Sequence, residues 1–380
     1  MTSIIDHLEH GADAHPDKLL YSFLDLSGQE RDTYTYLAFH ERTRHLAWHL
    51  ATNRGLRRGD RVLLVYPPGL EVIVALVACA RIGVIPVPVY PPTPMNFETG
   101  LSKLTFVARD CGASAALTTR GFQRSYQLLL AKRRISSLWT ATPAIPALEW
   151  ITTDDVRGVA PAELGNDPDP VLLLQYTSGS TSDPKGVIVS HQNVIENCAA
   201  TLDFVPTCVS WLPQYHDMGL IGFYLFPLVK GGATYGFSPL DFLKRPALWF
   251  QTIGRVRATH TGAPNFGYAY CLREDKLGDA ELDGVDLSSL RIMMNAAEPV
   301  RPDTYDRFLE RFSPFGLNPR ALIAAYGLAE NTIAVTQHGR LSVTVNKKLL
   351  QQRTLHFETR NERNLNQLRL MSCEIGRAHV

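Results

Sequence analysis

The chain has 380 residues and a formal net charge of +1, so it carries no basic excess to pull on a phosphate backbone, which argues against a general nucleic-acid binder. Hydrophobic residues make up 45% and charged residues 20%, the balance of a globular protein, and the length allows two or three packing units. Cys79, Cys111, Cys198, Cys208, Cys271 and Cys373 form no CxxC pair, so a zinc ribbon or redox motif is not expected and reduced thiols in a cytoplasmic protein are.

The first residues, Met1–Asp6, show no basic segment followed by an apolar one, and no secretory signal is read there. Thr43, Leu46, Ala47 and Leu50 recur at helical spacing. Gly59 and Asp60 then turn into the apolar run Val62–Tyr66, a buried strand that Pro67, Pro68 and Gly69 stop. A second helix is predicted through Ala80. The run Val84–Val89 follows, with Pro86 and Pro88 marking a sheet edge or extended segment. Strand, helix, strand in this order predicts a parallel sheet with crossover helices, and hence an α/β fold class. Tyr90–Pro94 reads as a stiff connector, and 142–169 as surface loop around one short strand. Val171–Gln175 is another buried strand. Val209–Gly236 is rich in Gly, Pro and aromatic residues, and the runs Arg291–Met294 and Ala321–Ala325 are further strands. Val72–Ala80 and Gly219–Val229 are both shorter than the roughly 20 apolar residues of a membrane span, so core burial is expected for each. Residues 340–370 form a polar excursion with short strands, and Glu374–Val380 continue no pattern.

Residues 176–186 read Tyr-Thr-Ser-Gly-Ser-Thr-Ser-Asp-Pro-Lys-Gly. A buried strand delivers the hydroxyls of Thr177, Ser178, Ser180 and Thr181, the flexible Gly179 and the cation of Lys185. Hydroxyls and backbone N–H groups can surround phosphate oxygens, and a lysine adds a point charge. The string is not a Walker A loop, because Lys185 precedes Gly186 and the following Val187–Val189 looks like a strand rather than a helix.

In this order the string resembles the signature loop of the adenylate-forming superfamily, which includes acyl-CoA synthetases, luciferases and nonribosomal peptide adenylation domains. Ser182 stands where many members have glycine. Ala325–Glu330 is similar to the family's Tyr-Gly-x-x-Glu motif. The resemblance implies that Tyr326 and Gly327 lie against adenine and that Glu330 helps to hold Mg²⁺. A ring offers a stacking face, and a hard cation takes carboxylate oxygen. Ala329 stands where many members have threonine. Asn295–Pro299 resembles a Gly-Ala/Gly-Glu-Pro turn that borders adenine, which implicates Ala296, Ala297, Glu298 and Pro299. Ala296 replaces the usual glycine there, and is strained if that position needs positive φ.

Ser210–Gly222 places His216, Asp217, Met218 and Gly219 within an apolar stretch, a wall suited to a lipophilic acid, although His216 alone reads as a hydrogen-bonded core histidine. The whole string resembles the hallmark of fatty acyl-AMP ligases, as does Gly83–Pro92. Ala263, Pro264, Asn265 and Phe266 belong to a segment similar to one lining the acid pocket. The likeness runs from about residue 5 to 373, and 340–370 falls where fatty acyl-AMP ligases carry an insertion linked to poor use of coenzyme A.

The resemblance implies the large N-terminal body of an adenylate-forming enzyme. Its expected parts are a first α/β subdomain over 1–175, a second over 176–339 holding the ATP and acyl sites, and a start of a β-rich subdomain over 340–373. The small C-terminal domain is expected to be absent, and residues 374–380 to be a non-native tail, leaving the chain weakly active or inactive. The implied reaction joins a fatty acid to ATP as acyl-AMP, with Mg²⁺ and release of pyrophosphate. The acyl group then passes to the phosphopantetheine arm of an acyl carrier protein. Thr177 to Thr181 and Lys185 are expected on the phosphates, with Lys185, His216 and Glu330 as catalytic residues. A fatty acyl-CoA synthetase, another adenylation domain and a non-catalytic nucleotide- or lipid-binding module are the competing readings.

Overall fold

The structure, a computed structural model, describes residues 2–136, 148–156, 158, 166–177, 184–361, 364 and 366–373. The helix Ile4–Ala14 begins where Ser3 and Asp6 cap each other, each side chain accepting the other's backbone N–H. Strands β1 (Leu19–Leu24) and β2 (Glu30–Thr35) follow, and Thr35 then caps the helix Tyr36–Thr52. Next come β3 (Arg61–Leu64), β4 (Ile85–Pro88), β5 (Ala115–Thr118) and β6 (Glu149–Thr152), which form a parallel sheet in the order β4-β3-β5-β6. β4, with Pro86 and Pro88, lies at the edge, where a missing N–H costs no ladder bond. Between β3 and β4 runs the helix Glu71–Arg81. It is apolar all round, and its residues from Val72 to Arg81 are buried, as such a helix requires.

β7 (Val171–Thr177) and β8 (Lys185–Ser190) form an antiparallel ribbon, with Thr177 opposite Lys185. β9 (Thr207–Ser210), β10 (Ala233–Gly236), β11 (His260–Ala263), β12 (Ile292–Asn295), β13 (Leu322–Gly327) and β14 (Ala334–Gly339) join β1 and β2 in one sheet, ordered β14-β13-β12-β11-β9-β10-β1-β2. Its centre is parallel, and the two end pairs, β1 with β2 and β13 with β14, are antiparallel. β15 (Ser342–Asn346) and β16 (Gln367–Met371) pair as a separate ribbon within the polar excursion.

β1 and β2, which precede residue 175 in the chain, pair into the sheet of residues 207–339. The physical reason is that a hairpin can be recruited from anywhere in the chain once a parallel neighbour, here β10, offers a free ladder to its inner strand, β1. No helix among the described residues is long and apolar enough to cross a membrane.

From β9 the chain moves to β10 on one side and then to β11 on the other. In open α/β sheets a ligand sits outside the carboxyl ends of the strands at such a reversal. The carboxyl ends of β9, β11, β12 and β13, with the segments that leave them, contain His216, Ala263–Phe266, Ala296–Pro299 and Tyr326–Glu330 respectively.

Candidate active site

A cavity of about 320 Å³ opens at that edge. Thr177, His216, Asp217, Ala296 and Ala297 line it, with Tyr326, Gly327 and Glu330 completing the polar end. Met218, Gly222, Phe226, Ile292 and Met294 continue it as an apolar trough. Ile292, Met294 and Ala296 alternate along β12 and its exit, so the period-2 rule puts all three on one face of the sheet. The opposite wall is the segment that follows β9.

That wall contains a π-helical turn, Ile221–Leu225. A π turn misaligns the normal helix ladder, and such turns are common at functional sites. The Tyr21 hydroxyl donates to the carbonyl of Tyr224 at 2.7 Å, and the Thr234 hydroxyl donates to that of Phe223. Two buried carbonyls are thus satisfied from β1 and β10.

His216 precedes the short helix Asp217–Leu220. Its Nδ1 lies 2.7 Å from Asp217 Oδ1. The Met218 N–H is 2.6 Å from the same carboxylate oxygen and 3.3 Å from the ring, so it donates to Asp217 and leaves Nδ1 of His216 to donate there too. That hydrogen bond raises the His216 pKa above its ordinary 6.5, against the opposing pull of desolvation. The loop behind His216 is fixed by two glutamines: Gln175 donates to the carbonyl of Tyr215 at 3.0 Å, and Gln214 makes two 2.9 Å bonds with the backbone of Gly69. Sequence reasoning singles out neither glutamine. A polar residue closing the apolar strand Val171–Gln175 is the available signal.

Asn295–Pro299 turns sharply. Ala297 has φ +68°, whereas Ala296 is not in the left-handed region. The strain expected at Ala296 therefore sits one residue later. For a non-glycine residue it costs roughly 1–2 kcal/mol. Ala297→Gly is expected to raise stability by about 1 kcal/mol, and Ala296→Gly to lower it by about 0.5 kcal/mol, read as shifts of the urea midpoint.

Other expected residues lie elsewhere. Lys185 is exposed and does not line the cavity, although its register partner Thr177 does and β8 runs beside the turn Ala329–Asn331 that holds Glu330. Ala263, Pro264, Asn265 and Phe266 do not line it either. Asn265 instead accepts from Asn295 and from the backbone N–H of Arg301, bracing the turn, and Glu298 accepts the N–H of Phe266. Glu298 and Pro299 are outside the lining, as is Gly219, which packs against the backbone at Pro213. Ser178, Gly179, Ser180 and Thr181 lie outside the described residues. Tyr326 is 54% exposed, leaving a ring face open at the mouth.

The AMP-binding enzyme family matches residues 8–354 of this chain. Among curated relatives, the medium-chain-fatty-acid–[acyl-carrier-protein] ligase JamA of Moorena producens is 37% identical over 351 residues, covering 89% of this chain and 57% of the relative. A 4-hydroxyphenylalkanoate adenylyltransferase of Mycobacterium tuberculosis is 34% identical over 352 residues, covering 89% and 55%. The crystal structure of a fatty acyl-adenylate ligase from L. pneumophila, in complex with acyl adenylate and pyrophosphate, superposes with a TM-score of 0.80 at 31% identity, covering 98% of this chain and 63% of that one. The chain thus spans about half the length of the curated relatives it matches. With its mostly parallel sheets and a cavity at the edge where the large sheet reverses, the chain belongs to the AMP-binding enzyme family and has the fold of the N-terminal domain of adenylate-forming enzymes.

Proposed function

We propose that this chain binds ATP and a fatty acid and joins them as acyl-AMP, for transfer to the phosphopantetheine thiol of an acyl carrier protein. One observation carries the reading: a single cavity has a polar end at Thr177, His216, Tyr326 and Glu330 and an apolar trough leading away from it. The names of the relatives agree with it, and JamA's supports the carrier protein as acceptor.

In the proposed step a carboxylate oxygen attacks the α-phosphorus, a P–O bond forms, and the bond to pyrophosphate breaks. Two anions meet, so the site has to neutralise charge and hold the groups in line. His216, protonated below its raised pKa, supplies positive charge where the trough meets the polar end. Thr177 offers a hydroxyl to the phosphates, and Lys185 reaches them from the rim beside it. Tyr326 gives adenine a face. The Glu330 carboxylate is exposed at the cavity and fits Mg²⁺, which binds through one or two carboxylates plus phosphate oxygens. When bound, that ion supplies charge neutralisation and Lewis acidity.

Dodecyl-AMP, a stable phosphodiester, tests the reading by calorimetry. Saturable binding at one site is expected, and no binding sinks the proposal. The affinity should also depend on pH. Because the His216 pKa is raised, the imidazolium persists past pH 6.5 and is lost as pH rises further, so binding should weaken as pH rises above 6.5. An exposed ion pair is worth at most about 1 kcal/mol, or about fivefold. His216→Gln should bind at the weaker level with a flat profile. Offering coenzyme A against a carrier protein decides the acceptor.

A further inference from the structure

One side chain of the trough does not belong in an apolar wall. His260 opens β11 and lines the cavity, although it is only 3% exposed. Its ring stands edge-on to Phe223, with centroids 5.2 Å apart, and its register partners are Cys208 and Ile292. Nδ1 has no hydrogen-bond partner among the described residues. Desolvation lowers its pKa to about 4, so the ring is neutral at pH 7 and keeps one donor and one acceptor nitrogen. An unmet buried polar group costs roughly 1–3 kcal/mol. Leucine or valine would fill this position without that cost.

The other polar residues along the trough are already engaged. Gln337 donates to the carbonyl of Thr201 at 3.2 Å, and the Thr201 hydroxyl donates to that of Asn197 at 2.6 Å. Among the described residues that line the trough, His260 therefore stands out as the buried group with hydrogen-bonding capacity left over. Its place along the sheet is also informative. It lies three residues before Ala263, so at about 3.3 Å per residue it sits roughly 10 Å below the carboxyl edge of β11. The polar end of the cavity is at that edge. A half turn of the ring about its Cβ–Cγ bond exchanges Nδ1 with a carbon position and barely changes the outline, so either nitrogen can be presented to the trough.

Resting on the assignment of the trough to the acyl chain, we propose that the acid carries a hydrogen-bonding group, a hydroxyl on its alkyl chain, at the depth of His260, and that the imidazole of His260 reads it. A site built to hydrogen-bond a hydroxyl discriminates against the analogue that lacks it, because the site's own polar group is then left unpaired. An acid without the group would leave the ring unsatisfied.

The test is calorimetric titration of the 380-residue chain with dodecyl-AMP and a series of dodecyl-AMP esters hydroxylated at successive carbons. One hydroxylated ester, with its hydroxyl in the distal half of the chain, should bind at least tenfold more tightly than the plain ester. His260→Leu should remove that preference and bind the plain ester as well as wild type or better. His260→Gln, which keeps a donor and an acceptor, should restore part of it. Melting temperatures identify any variant that fails to fold, and the wild-type series alone then decides. If every hydroxylated ester binds within twofold of the plain one, or worse, His260 is only a core histidine and the assignment of the trough still stands. A preference that persists in folded His260→Leu would equally reduce His260 to a core histidine. If no ester binds at all, the assignment of the trough fails and this proposal with it.

Discussion

Between pH 6.5 and pH 4 the chain is expected to lose several kcal/mol of stability and to unfold in mild acid. His191 and His260 are each 3% exposed, and desolvation holds both pKa values down to about 4. His191 is tied to the fold as an acceptor: its Nδ1 takes the backbone N–H of Ile4 at 3.2 Å, a bond that protonation removes. The folded pKa is depressed below the unfolded 6.5, so the stabilising effect is fully present above pH 6.5. It is lost as pH falls toward 4, where the unfolded chain binds protons that the folded chain refuses. The gap from 6.5 to about 4 is worth about 3 kcal/mol per ring, so the two rings together approach the lower end of a domain's total stability.

His40 adds to this, though less, because it is only half-buried. Desolvation and the neighbouring Arg81 guanidinium lower its pKa to about 4. Arg81 is 1% exposed and is held by Glu9, Asn166, Thr43 and His40, so a proton on His40 sets two cations 3.0 Å apart. Urea midpoints at pH 7.5, 6, 5 and 4.5 measure the effect. A midpoint unchanged across the series would mean that the rings are solvated in solution. His191→Asn, which keeps an acceptor without a titrating ring, should flatten the acid limb by about a third.

The second large effect separates two glycines three positions apart. A Cβ on Gly219 would lie 2.2 Å from the carbonyl oxygen of Pro213, a backbone atom that also accepts the N–H of His216. The same carbon on Gly222 would meet only the Cδ1 of Ile333, at 3.1 Å, the tip of a side chain that can turn away. Gly219→Ala should therefore push the turn carrying His216 off its seat. Overpacking of this kind costs roughly 1–3 kcal/mol, and misplacing a positioned group by about 1 Å can cost a hundredfold in function. Dodecyl-AMP binding should fall by about that factor. Gly222→Ala should leave stability within about 0.5 kcal/mol, the range of an undisturbed site, and bind nearly as wild type. Equal behaviour of the two variants would show that close packing at Gly219 does not hold the site.

Much of this molecule is legible in the chain itself. The apolar runs 62–66, 84–89, 171–175, 291–294 and 321–325 all form strands of parallel sheets or of the ribbon at the site, because a strand buried on both faces has little choice of composition. The Tyr-Gly-x-x-Glu and His-Asp-Met-Gly strings are recognisable by their order, and the fold brings Tyr326, Glu330, His216 and Met218 to one cavity. Such motifs are local: the turn and the chemistry reside in a few consecutive residues.

What the tertiary structure alone decided depends on partners distant in the chain. The capture of β1 and β2 by the far sheet rests on the ladder between residues 21–23 and 234–236. The positive φ falls on Ala297 rather than Ala296, in a turn whose two ends, Asn295 and Arg301, both donate to the distant Asn265. Sequence points to Asn265 as a pocket residue, and only the fold shows which donors, Asn295 and the Arg301 N–H, its carboxamide oxygen meets. His260 gives no signal in sequence, since an orphaned nitrogen is defined by every neighbour that fails to reach it. Sequence records which groups a chain carries and how its short segments bend. Which of those groups end up facing one another, and which are left unpaired, is fixed only when strands from the whole chain share one sheet.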